Sequence, residues 1–260
     1  MTGADSGKTR LAVGGATIVG LIAAWYIASS TGAIPKLDFP APDQFLAAAR
    51  QVVIDPGFAD GLLLDHLLHS VKIIVLGFFA ATLIGVPLGL WMGWSRTAEA
   101  VINPIFLLIR PIPALAWIPL AIVWLGLDDA AKVMVLWFAA FVPSVINSYT
   151  GVRSIDRPII EASRMLGIGR LALVTDVIVP GALPSIFTGL RLSLQGCLTA
   201  LVAAELLGAV LGLGKVLYQA GLDIYPAMIL VGMVAVAITG FALTAVLDAV
   251  ESRSMPWRKR

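Results

Sequence analysis

The chain has 260 residues, 59% of them hydrophobic and 13% charged, with a formal net charge of +2. A soluble globular domain carries roughly 25% charged residues, so there is too little polar surface here to cover a soluble globule, and the bilayer is the natural solvent for the excess. The single cysteine, Cys197, excludes an intrachain disulfide, disfavours a cysteine-based metal site, and reads as a buried, inert thiol in an apolar run.

A helix needs about 20 apolar residues to cross the hydrocarbon. The first charge-free window of that size is Leu11–Pro35. It follows a basic start, Lys8 and Arg10, but is longer than a signal-peptide core, so it reads as a retained first crossing. The stretch Gly7-Lys8-Thr9 resembles the end of a phosphate-binding loop; the earlier glycine that motif requires would fall at Thr2, so it reads as a basic tail. Next comes the longest non-spanning stretch, Ile34 to Ser70. Pro35, Pro40 and Pro42 make its start extended, and Asp43 is expected to cap a short helix whose apolar face is Phe45, Leu46, Ala49 and Val53. His66 and His69 follow beside Asp65; two ligands are too few to specify a metal, and they read as a solvated outer turn.

The second window is Ile73–Ser95, in which Gly85, Gly89 and Gly93 recur every fourth residue and leave a smooth face for close helix contact. The third, Pro111–Leu127, extends backwards past Arg110 through Val101–Ile109 and is crowded by Pro104, Pro111, Pro113 and Pro119. Each proline removes a backbone donor, and broken helices are tolerated at membrane depth where they are buried or line a cavity. Pro113, Trp117, Pro119 and, in the fifth window, Gln195 are therefore candidate pathway-lining residues, with packing kinks and interface anchoring as the alternative reading. Val133–Val152 is the fourth window, Leu183–Leu213 the fifth and Ile224–Leu247 the last. Gly208 and Gly212 repeat the small-residue spacing in the fifth, and Glu205 lies near its outer end.

Continuous apolar runs without strand-like alternation argue for helices, so the expected fold class is an all-α membrane protein with about six transmembrane helices. An inside N-terminus gathers Lys8, Arg10, Arg96, Arg153, Arg157, Arg164, Arg170, Arg253, Arg258, Lys259 and Arg260 on one side, against Lys36, Arg50, Lys72, Lys132 and Lys215 on the other. The positive-inside rule then places both termini in the cytoplasm, with Arg110 and Arg191 unassigned. The basic tail reads as a topology signal near anionic lipid, not as a nucleic-acid site. The expected organisation is 1–35 as tail and first crossing, 36–66 as an extracytoplasmic segment, 67–250 as the main transmembrane domain and 251–260 as a cytoplasmic tail.

One polar loop, 153–180, stands out on the cytoplasmic side. After Pro158 a short amphipathic helix can form, with Ala162, Met165 and Leu166 as a small apolar face beside Glu161, Arg164 and Arg170. Gly167 and Gly169 supply a stop and a turn. Such an element suits insertion into a groove on another protein, and equally the role of an ordinary cytoplasmic loop helix lying on the membrane.

The spacing Glu161-Ala162-Ser163, three residues, Gly167, nine residues, Val177, two residues, Pro180 resembles the EAA loop of ABC-importer permeases. That family's pattern has alanine where Ser163 stands and isoleucine where Val177 stands. Pro180-Gly-Ala-Leu-Pro184 with Gly189-Leu-Arg191, and Pro111-Ile-Pro113-Ala-Leu-Ala-Trp117-Ile-Pro119, also look like this family, the latter like its nitrate/sulfonate/taurine/bicarbonate branch. The resemblance covers about Leu67 to Val250. It implies a type I importer permease fold, a second permease subunit, two ATP-binding subunits docked beneath, and an extracytoplasmic solute-binding protein. It also implies that Glu161, Ala162 and Gly167 form the core of a coupling element, to which Ser163, Arg164, Gly169 and Arg170 are added as neighbours and contacts. The chain itself would be no enzyme and bind no cofactor or metal; ATP and Mg would be used by the partner ATPase. The rival class, an ATP-independent channel or secondary carrier, would need an ion-coupling constellation that the sequence does not display.

Overall fold

The computed structural model describes residues 4–31, 39–55, 58–206 and 208–257. Among them every regular element is a helix. In chain order these are α1 (Ala4–Ser30), α2 (Pro42–Ile54), α3 (Leu63–Trp94), α4 (Arg96–Ile109), a 3-10 turn (Ala114–Trp117) and α5 (Ile118–Leu125). Then come α6 (Asp129–Arg153), α7 (Arg157–Met165), α8 (Arg170–Ala172), a π-helical turn (Leu173–Ile178), α9 (Val179–Leu206), α10 (Leu213–Leu222) and α11 (Pro226–Ser254). Four helical runs are long and apolar enough to cross a membrane: Leu63–Trp94, Asp129–Arg153, Arg170–Leu206 and Pro226–Ser254. The pair α4 and Ala114–Leu125 makes a fifth if its two arms, bent by 81°, count as one broken span. The sixth expected crossing falls on α1, whose apolar part Val13–Ser29 is shorter than a full crossing; the end of that window, 32–35, lies outside the described residues. The Arg258-Lys259-Arg260 tail lies outside them too.

The chain forms two compact units, Met1–Leu64 with Val216–Val234 and Asp65–Lys215 with Ala235–Arg260. In the larger unit α3 lies flush on α6. A Cβ built on Gly77 would sit 2.6 Å from that of Leu136, one on Gly85 2.9 Å from that of Ser144, and one on Gly93 2.6 Å from that of Val152. The partner advances in step with the glycine, so the two helices run parallel. In α9 the order reverses. Gly189 faces Asn147 and Gly196 faces Ala139, while Gly151 of α6 faces Ser185, so α6 and α9 are antiparallel and as close as backbones allow. Ile73, Ala81, Leu136, Ala140, Cys197 and Leu201 fill the core between these helices. Ser144 and Ser193 share a buried 2.8 Å hydrogen bond, and Ser193 also donates to the Ala140 carbonyl.

In the smaller unit Ala48 and Val52 of α2 pack against Val216, Ala220, Met228 and Val231. This corrects the expected face by a register step: Phe45 and Ala49 only border the cluster, and Leu46 and Val53 are exposed. The cap differs as well. Pro42 starts the helix one residue before Asp43, and Ala41 occupies the cap, its N–H donating to the Gln44 side chain at 3.1 Å. Trp25 donates from Nε1 to the Pro40 carbonyl at 2.9 Å, with Phe39 and Phe45 edge-on to its ring.

Two further expectations are corrected at the end of the larger unit where α9 finishes. Helix α9 stops at Leu206, and Gly208 and Gly212 sit in the following loop with φ of +136° and +144°. They serve as turn residues, not as a helix-packing stripe; the loop's Val210 and Leu211 are apolar, which is why hydropathy alone runs the helix through it. His66 is fully buried, not solvated, because that loop covers it: its Nδ1 accepts the Gly212 N–H at 3.0 Å.

Candidate functional site

The cytoplasmic-loop element is built from helix signals at both ends. Helix α7 carries Pro158 in its first turn, where the missing N–H costs nothing. It closes with two crossed bonds, Gly167 N–H to the Arg164 carbonyl at 3.0 Å and Ile168 N–H to the Ser163 carbonyl at 3.3 Å. This is a Schellman end, and Gly167 adopts the left-handed φ of +77° that it requires. Gly169 then caps the single turn α8, and a π-helical turn leads into α9 at Val179, just before Pro180.

Helix α7 buries little. Ser163 is its one buried residue, with Oγ donating to the Ile159 carbonyl at 2.8 Å. Ile160 and Ile168 pack on a cluster of Val152, Leu173, Ile178, Ala182 and Ile186. The outer side presents Glu161, Ala162, Gly169 and Arg170. Met165 is 89% exposed, Leu166 81% and Leu171 79%. Composition finds the first two of these; Leu171, beyond Gly169, escapes it because the expected face ended with the helix. Arg164 lies with its guanidinium 5.9 Å above the Trp94 ring, at the end of α3. Arg153, the last residue of α6, pairs with Glu99 in the first turn of α4, and Tyr149 donates its hydroxyl to the same carboxylate. The polar loop is thus fastened to α3 through Arg164, and through Arg153 it adjoins the broken helix.

The break in that helix spans Arg110 to Pro113, between Ile109 and the turn beginning at Ala114. A cavity of about 400 Å³ opens there, lined by Arg110, Ile112, Pro113, Phe138, Pro143 and Thr199 among others. Of the sequence candidates, Pro113 lines it directly. Trp117 stacks on Phe138 with centroids 3.9 Å apart, so it backs the wall. Pro119 and Gln195 are exposed but do not line this cavity. Pro143, inside α6, has no amide hydrogen to give the Ala139 carbonyl, and a Cβ on Gly196 would lie 2.9 Å from that oxygen.

Three ionisable groups of the remaining spans, Arg191, Glu205 and Lys132, are paired. Arg191 donates Nε to Asp248 at 2.9 Å and reaches Glu251, joining α9 to α11. Glu205 is buried and accepts from Ser70 Oγ and from the Gly214 N–H, each at 2.7 Å. Lys132, also buried, lies 3.3 Å from Asp129.

Residues 85–259 match the family described as binding-protein-dependent transport system inner membrane component. The taurine transport system permease protein TauC of Escherichia coli (strain K12) is 36% identical over 252 residues, covering 97% of this chain and 91% of that protein. The putative aliphatic sulfonates transport permease protein SsuC of Bacillus subtilis (strain 168) is 29% identical, covering 92% and 84%. The nitrate import permease protein NrtB of Synechocystis sp. is 30% identical, covering 84% and 81%. Among solved structures, a chain of the MetNI methionine ABC transporter in inward-facing conformations superposes with a TM-score of 0.57 at 23% identity, covering 72% of this chain and 95% of that one, and it shares the fold. The chain belongs to the binding-protein-dependent transport system inner membrane component family, as a multi-pass inner-membrane permease of the nitrate, sulfonate and taurine branch of ABC importers.

Proposed function

We propose that this chain is one of two permease subunits that together form the pathway of an importer, powered by two ATP-binding subunits and fed by an extracytoplasmic solute-binding protein. The observation that carries this reading is helix α7. It is a short, capped helix between two spans, and with the turn that follows it the exposed side combines Met165, Leu166 and Leu171 with Glu161. A solvated loop gains nothing from three bare apolar side chains, whereas a helix seated in a protein groove buries them. ATP and Mg act in the partner subunits.

The cycle follows from linkage. Closure of the ATPase dimer moves α7 as a rigid lever; α7 is bound to the ends of α3 and α6, so the spans rock and the cavity changes the side to which it opens. A solute that binds both states equally cannot drive this change, so ATP and the loaded binding protein must favour different states. The solute is a small organic or inorganic anion, such as a sulfonate, nitrate, bicarbonate or aromatic carboxylate; relatives named for taurine, aliphatic sulfonates and nitrate support that class.

The test is co-purification with the ATPase and reconstituted uptake. Glu161→Lys is expected to abolish uptake and weaken ATPase association while the permease still inserts. Full uptake by that variant would refute the coupling role.

A further inference from the structure

Arg110 sits in the break of the bent span. Helix α4 begins at Arg96, beside the end of α3, and its 14 residues rise about 21 Å. That carries Arg110 well into a hydrocarbon layer roughly 30 Å thick. A guanidinium at that depth needs a reason, since ionisable groups in a membrane are costly and face the interior or water.

Two other arginines of the helical runs, Arg153 and Arg191, have found theirs. Arg153 is paired with Glu99, and Arg191 with Asp248 and Glu251. Among the described residues no carboxylate lies within ion-pairing distance of Arg110. The cavity it lines, about 400 Å³, has no acidic residue in its wall, which includes Ile112, Pro113, Phe138, Val142 and Thr199. By contrast, the cavity of about 320 Å³ beside Lys132 also contains Asp128 and Asp129, so its cation is already answered.

We propose that Arg110 is the anion-recognising residue of the solute pathway, receiving the sulfonate, carboxylate or nitrate group of the passing solute in the cavity at the broken helix. This rests on the importer reading above. The guanidinium offers five N–H donors in a planar fork that matches two oxygens of such a group. Apolar walls raise the strength of that contact by keeping water out. A single fixed charge in an open cavity selects for sign and still releases the solute, as a pathway requires. Permease and binding protein would then both read charge, so a neutral solute that reached the permease would pass slowly.

The experiment uses the complete transporter in proteoliposomes, with ¹⁴C-taurine and nitrate as probes. Arg110→Gln, assembled with its partners as judged by size exclusion, is expected to lower uptake at saturating binding protein roughly tenfold or more, the scale of one lost charge-assisted contact. Arg110→Lys, which keeps charge and loses the fork, is expected to fall between. To separate charge from folding, Arg110→Cys is made in a Cys197→Ala background and treated with thiosulfonates. A reagent that installs an ammonium group should restore uptake, and one that installs a sulfonate should not. Equal uptake after both reagents, or wild-type uptake by Arg110→Gln, overturns the assignment while leaving the importer reading intact; the side chain would then merely snorkel. A wild-type transporter that moves neither probe nor any other anion overturns the anion class of the solute, and this assignment with it.

Discussion

At the scale of single residues, the polar groups show most clearly what sequence reading cannot reach. Glu205 is legible only as an acid near the end of an apolar window. Its partners are Ser70, 135 positions away, and the Gly214 N–H in the first turn of α10, just past a loop that hydropathy takes for helix. Together with Leu213 N–H, which donates to Ser70 Oγ at 2.8 Å, and Gly212 N–H, which donates to His66, they fasten the start of α10 to the first turns of α3. Glu205→Ala leaves Ser70 and the Gly214 amide buried without their acceptor, a loss of about 1–3 kcal/mol. Thermal unfolding of the purified protein should show a lower Tm, with Glu205→Gln intermediate because one amide oxygen still accepts. Gly167 is the opposite case, since the glycine after an amphipathic stretch was itself the signal. No atom lies within 4 Å of a Cβ built there, so substitution is limited by its φ of +77° and not by space. Gly167→Val is therefore expected to cost about 1–2 kcal/mol in the loop and to loosen its end, read as weakened ATPase co-purification from membranes that still contain the permease.

At the scale of elements, windows without charge located the four long apolar helices and the broken pair, and glycine spacing located the face of α3 that meets α6. Helix α2 was found but rotated, because Leu46 and Val53 are apolar residues that the unit leaves exposed while smaller Ala48 makes the contact. The prolines of the third span announced a break; its 81° angle and the cavity behind it depend on how α6 and α9 pack, which no local pattern encodes. Two predictions belong here. Met165→Asp with Leu166→Asp should impair docking more than Arg170→Ala, because burying carboxylates without partners is costly whereas a rim charge contributes about 0–1 kcal/mol; pull-down of the ATPase at equal permease levels checks this. Glu99→Ala removes the acceptor shared by Arg153 and Tyr149 and so severs α4 from the end of α6. Its expected signature is fewer solutes moved per ATP hydrolysed, with the ATPase still bound. An unchanged ratio would show that the broken helix moves independently of that contact.

At the scale of the whole molecule, the apolar composition and the position of its few charges gave the membrane class, and the loop spacing gave the family. What composition could not give is where the charges inside the bilayer go. The acids of the membrane-spanning runs at Glu205, Asp248 and Glu251 are each held by a partner: Ser70 and Gly214 for the first, Arg191 for the other two. An ion-coupled carrier needs an acid or an ion cage that binds and releases its ion during each cycle. Releasing these acids would mean breaking pairs that join α9 to α11, or the Glu205 clasp, on every turnover. Arg110, which pairs with no carboxylate among the described residues, is always charged and cannot relay protons. On the reading proposed above, energy enters from outside the spans, with the bare apolar side of α7 as the hold for a powered partner. The expectation is that the purified permease pair, reconstituted alone, moves no ¹⁴C-taurine or nitrate under an imposed proton or sodium gradient. Adding the ATPase, ATP, Mg and the loaded binding protein should start uptake. Gradient-driven flux by the permease alone would return the secondary-carrier reading and displace the one argued here.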